Sequence, residues 1–78
     1  MSRTEQEKTV PGLYKHYKGN EYEVIAEVTH SETEEQLVLY RALYGEHRLW
    51  VRPKRMFYET VVVNGLKMPR FAFVSPNI

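Results

Sequence analysis

At 78 residues, with 11 Lys and Arg against 10 Asp and Glu, the chain carries a formal charge of only +1. That balance excludes the domain-wide positive footprint of a nucleic-acid wrapper and leaves room only for a local basic patch. Cysteine is absent, which excludes disulfides, thiolate zinc sites and cysteine nucleophiles.

Residues 1–10, MSRTEQEKTV, are almost wholly polar and read as a loosely ordered tail, leaving residues 11–78 as a single domain. No apolar run follows Arg3, and no stretch is long and apolar enough to span a membrane. A cytoplasmic protein without a membrane partner is expected. Turn signals at Pro11-Gly12, Lys18-Gly19-Asn20, His30 to Glu35, Gly45 and Asn64-Gly65 recur roughly every 8–15 residues, which is all-β spacing. The first strand runs from about Leu13 to Tyr17, and KGN turns the chain with a positive φ at Gly19 or Asn20. Over Glu21 to Thr29, Tyr22, Val24, Ala26 and Val28 fall on one side and Glu21, Glu23 and Glu27 on the other, with Ile25 out of phase. That is a half-buried strand. HSETEE reads as a solvated acidic loop, with a one-turn helical cap as the alternative. Gln36 to Leu43 is apolar on both faces except at Arg41, as in a central strand covered on both sides.

After YGEH, Leu49 to Arg52 forms the next strand. Pro53 lacks an N–H to continue the ladder and suits the start of a helical turn to about Phe57. Tyr58 to Val63 returns to strand, Asn64-Gly65 signals a tight hairpin, and Pro69 confines the returning arm to an edge or to irregular structure. The expected fold is all-β: a small SH3-like, partly open antiparallel barrel of about five strands with one helical turn. An OB-like barrel is the competitor, but it wants longer strands and a helix between the third and fourth. The chain is 42% hydrophobic, with six Tyr, three Phe and one Trp. A compact core is therefore feasible, without slack for a deep polar cleft.

Twenty positions carry a likeness: Gly12, Tyr14, His16, Lys18, Gly19, Tyr22, Val24, His30, Glu32, Thr33, Glu35, Val38, Tyr40, Leu43, Trp50, Arg52, Pro53, Phe57, Arg70 and Phe71. In these the chain resembles the bacterial family called domain of unknown function 1653, over residues 12–71. The resemblance implies a small SH3-like barrel, often standing alone in bacterial proteins. It implies no activity, cofactor or catalytic residue.

Alternation on LWVRPKRMF places Leu49 and Val51 on one face and Trp50 and Arg52 on the other. With the aliphatic pair inward, Trp50 and Arg52 would stand outside beside Lys54 and Arg55, suited to stacking on a base or gripping a peptide. The plainer alternative has Trp50 capping the core, with Arg52 flat over it or paired with a carboxylate. Tyr14, His16 and Tyr17 complete the candidate binding surface. The first hairpin turn should pair His16 with Tyr22 or Glu23 rather than His30, so neither a two-histidine metal site nor any cofactor is expected. Either imidazole should instead bond a loop carboxylate or carbonyl. HSE matches half of a zinc-deaminase signature whose other half needs cysteines. No serine triad or glycine-rich phosphate loop is present, and nothing singles out a carboxylate pair. The expected function is a non-catalytic binding module for a protein or peptide. The alternatives are RNA or single-stranded nucleic-acid binding through the same patch, and, less favoured, an enzyme of unspecified type. A monomer or weak homodimer is expected, pairing through TVVV or the aromatic patch.

Overall fold

The structure is a computed structural model that describes residues 8–78; the first seven residues of the expected tail lie outside the described residues. Among the described residues, seven strands and one short helix follow in chain order. They are β1 (Gly12–His16), β2 (Glu21–Thr29), β3 (Gln36–Ala42), β4 (Leu49–Pro53), α1 (Lys54–Phe57), β5 (Thr60–Val63), β6 (Leu66–Pro69) and β7 (Phe71–Ser75). The domain is all-β, in two antiparallel sheets rather than the about five strands of one barrel. A five-stranded sheet has the order β4-β3-β2-β1-β7, and β5 and β6 form a separate ribbon. Since β4 and β7 lie at opposite edges, the barrel is not closed.

Local chemistry sets the turns. Between β1 and β2 the loop is Tyr17-Lys18-Gly19, closed by the His16 N–H on the Asn20 carbonyl at 2.8 Å and the Gly19 N–H on the His16 carbonyl at 2.7 Å. Gly19 takes the positive φ, +111°, that a three-residue hairpin loop requires. This loop pairs Tyr14, not His16, with Tyr22. Asn64 and Gly65, with φ of 53° and 80°, form the expected two-residue turn between β5 and β6. Pro53 ends β4, and α1 begins at Lys54. Pro69 closes β6, the returning arm expected at an edge or as irregular structure, and the chain then re-enters the main sheet at its edge as β7, a strand the sequence reading does not assign.

One face of the large sheet carries the core. Tyr14, Val24, Val38, Tyr40 and Phe71 are buried there, and α1 lays Phe57 on them. Phe57 is 0% exposed and stacks on Phe71 with ring centroids 4.2 Å apart and planes 3° off parallel. Tyr14 and Tyr40 abut the Phe57 ring from 5.6 and 5.5 Å. In β3, Val38, Tyr40 and Ala42 are buried, whereas Leu37 and Leu39 on the other face are only half-buried.

Two phase reversals correct the sequence reading. In β2 the ladder passes from Val24↔Tyr40 to Ala26↔Leu39, so Ile25 is an extra, unpaired residue. This bulge puts Glu27, partner of Val38, on the core side and turns Ala26 and Val28 away. Lys54 then ion-pairs with Glu27 at 2.9 Å, and Thr9 donates to the same carboxylate oxygen at 2.6 Å. In β4, Trp50 opposes Tyr40 and Arg52 opposes Val38, so these two share the core-bearing face, while Leu49 and Val51 are exposed.

Phe57→Ala removes the ring that joins α1 to the sheet. A buried Phe→Ala change costs about 3–5 kcal/mol, which approaches the whole stability of a small domain. The variant is expected to unfold at a much lower urea concentration than wild type, with a stability loss of about 3–5 kcal/mol by urea titration. A loss below about 1 kcal/mol would contradict this account of the core.

Candidate functional site

The core-bearing face does not end at the buried cluster. Toward β4 it opens into a cleft of about 200 Å³ lined by Tyr22, Tyr40, Tyr44, Trp50 and Arg52. The β2–β3–β4 register assembles it: Val24 opposes Tyr40, and Tyr40 opposes Trp50. Tyr44 enters from the loop after β3, where Gly45 and His47 take positive φ of 60° and 56°. Its hydroxyl is 2.9 Å from that of Tyr22. Burial, and then this bond, push the Tyr22 phenol up to about 12, so it stays protonated at physiological pH.

Arg52 forms the floor beside Phe71, with its guanidinium carbon 5.8 Å from that ring centroid. Its Nε donates to the Tyr40 hydroxyl over a long 3.4 Å. The other described arginines with short ionic contacts meet carboxylates: Arg41 with Glu23, Arg55 with Glu35 and Arg70 with Glu59. Arg52 has no carboxylate partner among the described residues. Trp50 is 48% exposed at the cleft rim. It neither caps the core nor lies beneath Arg52, which covers Phe71 instead.

His16 continues the aromatic surface past Phe71. Its ring lies 4.8 Å from Phe71, 6.3 Å from Tyr22 and 4.6 Å from Tyr17. Its Nδ1 accepts the Lys18 backbone N–H at 3.1 Å, which leaves the neutral ring's proton on Nε2. His30 does the same for its own loop, accepting from the backbone N–H groups of Glu32 at 3.1 Å and Thr33 at 3.3 Å. Both histidines therefore brace turns through backbone donors, rather than bonding the carboxylate or carbonyl that the sequence suggested. Among the described residues no group of three His, Asp or Glu side chains could hold a metal ion.

The expected surface thus divides. His16, Tyr17, Trp50 and Arg52 stay on one continuous face. Tyr14 does not belong to it: at 3% exposed it lies in the core, and its hydroxyl donates to the Val10 carbonyl at 2.8 Å. Burial pushes its phenol well above the ordinary range. Lys54 and Arg55 are absent from the cleft lining and meet Glu27 and Glu35. The sequence reading missed Tyr22, Tyr40 and Tyr44; strand register alone would have gathered the first two.

The family model described as "Protein of unknown function (DUF1653)" matches residues 12–73, a span that holds every cleft residue. A crystal structure of a DUF1653 protein from Bordetella bronchiseptica is similar, with 38% sequence identity and a TM-score of 0.76. The match covers 82% of this chain and 85% of that one. No curated protein matches the chain.

His16 confers a pH dependence of defined sign. Burial, and then the nearby Arg70, Lys18 and Arg52 charges, hold its pKa below 6.5 in the fold. The unfolded chain therefore takes up the proton more readily. This stabilising contribution is complete above about pH 6.5 and is lost as pH falls from there through the folded pKa. Glu27, whose pKa is lowered from 4.5 by its bonds to Thr9 and Lys54, acts in a separate window below 4.5. Urea midpoints between pH 7.5 and 5 should drop more for wild type than for His16→Asn, which keeps an acceptor but cannot titrate. Equal drops would refute the assignment.

Proposed function

This chain belongs to the DUF1653 family, and from that premise we propose that it is a non-catalytic binding module taking a peptide segment of another protein in the Tyr22–Trp50–Arg52 cleft. The observation that carries the reading is Arg52. A guanidinium packed on Phe71, without a carboxylate partner among the described residues, stands beside four aromatic side chains in an open cleft. Aromatic rings and Arg are the side chains that dominate binding energy at protein contacts.

Charge favours peptide over nucleic acid. Of the three cations expected to grip phosphates, Lys54 and Arg55 already face carboxylates, which leaves Arg52. His16 is neutral and flanked by cations rather than by an orienting acid, which supports a non-catalytic role. An SH3-like, partly open barrel and a cytoplasmic setting belong to the same reading. Among the described residues, no helix is long and apolar enough to cross a membrane.

Trp50→Ala tests it by peptide titration followed through backbone amide shifts. Loss of a central aromatic contact should weaken binding by about tenfold or more, with the urea midpoint nearly unchanged because Trp50 is half-exposed. Equal affinities for wild type and variant would remove the reading. Salt separates the alternative: each neutralised phosphate of a single strand adds about −0.7 to the log–log slope. A slope of −2 or steeper with an oligonucleotide, and no peptide binding, would favour nucleic acid.

A further inference from the structure

Among the described residues β4 is an edge strand, paired with β3 on one side and with no strand on the other. The Ala42 N–H bonds the Arg48 carbonyl at 3.0 Å, and the Tyr40↔Trp50 and Val38↔Arg52 pairs follow at intervals of two. In an antiparallel ladder, residues so spaced turn their backbone groups toward the same neighbour. Trp50 and Arg52 therefore bond β3, and the N–H and C=O groups of Leu49 and Val51 point outward, without a backbone partner among the described residues. An open edge of this kind is a template for another strand.

The side chains along this edge are sorted by face. Leu49 and Val51, each 53% exposed, lie on the outer face. Trp50 and Arg52 lie on the cleft face. An incoming strand would have to alternate in the same way. Its outer residues would cover the two aliphatics. Its inner residues would lie against an indole and a guanidinium that lacks a carboxylate. Pro53 has no N–H, so the edge offers only two outward donors, those of Leu49 and Val51. The ladder is short enough that side chains must supply selectivity.

We propose that the partner is an extended acidic peptide that adds as a sixth strand along the open edge of β4, setting a carboxylate against Arg52 and aliphatic side chains against Leu49 and Val51. This deepens the binding-module reading and rests on it. Main-chain bonds fix register and direction, as in strand addition generally. The Arg52–carboxylate contact then supplies selectivity, since a charge-assisted bond is about twice as strong as a neutral one.

The test uses three blocked seven-residue peptides that alternate valine with glutamate. One is unmodified, one carries glutamine for glutamate, and one is N-methylated at the amides that would face β4. Each is titrated into the full chain and followed by backbone amide shifts. The unmodified peptide should shift Leu49 and Val51, and the glutamine and N-methylated peptides should each bind at least about tenfold more weakly. Arg52→Gln should erase the preference for glutamate over glutamine, with its urea midpoint confirming that it folds. Binding that shifts Tyr22 and Tyr44 but ignores N-methylation or the glutamate charge would overturn strand addition while leaving the cleft reading intact. Absence of any peptide response at both β4 and the cleft would overturn both. Shifts at Leu49 and Val51 that grow with protein concentration alone would assign the edge to a second copy and overturn the proposal.

Discussion

The Phe57 ring lies flat on Phe71, and most of the architecture is a means of bringing these two rings together. Phe57 rides on a helix of only four residues, too short to hold its shape by its own hydrogen bonds. Phe71 opens a strand that starts just after a proline. Each element is weak alone, and burying both rings among Tyr14, Tyr40 and Val38 supplies the apolar contact neither could make separately. Arg70 ties the return path: its N–H meets the Glu59 carbonyl, its carbonyl accepts the Tyr17 N–H, and its guanidinium meets the Glu59 carboxylate. The β5–β6 ribbon is thereby anchored at its base, although a two-stranded ribbon is marginal alone.

The cleft is continuous with an aromatic core. Tyr22 and Tyr40 meet edge to face at 5.4 Å, Tyr40 and Phe71 at 5.6 Å, and Tyr22 and Tyr44 at 5.6 Å. Edge-to-face contact is a favoured packing of aromatic rings. The cluster runs continuously from a dry centre to a wet rim at Trp50. Tyrosine suits the transition, since each ring can bury its body and keep its hydroxyl for a partner.

Much of this was legible in the chain, and the rest failed for identifiable reasons. Asn64-Gly65, Gly19 and Pro53 announce their turns because each imposes a backbone angle or removes a donor that no neighbour can restore. The direction in which β4 faces was not legible, since Leu, Trp, Val and Arg put an apolar residue at both parities. The choice is made by Tyr40 and Val38 across the ladder, hence by register. Tyr14 was misplaced because what satisfies its hydroxyl is a backbone carbonyl, at Val10, which no side-chain pattern displays. Lys54 and Arg55 were drawn away by Glu27 and Glu35, distant in sequence. β7 was hidden behind Pro69, although Phe71 and Phe73 alternate as a strand should.

The unpaired Ile25 in β2 reaches beyond its own position. It is a phase shifter: everything before it obeys one parity and everything after it the other. Losing that single residue would join Val24 to Ala26 in an unbroken ladder, with Ala26 still opposite Leu39 and Glu27 still opposite Val38. A bulged strand bends and twists more strongly at that point, so this one residue shapes the curl of the sheet as well as the parity of the strand.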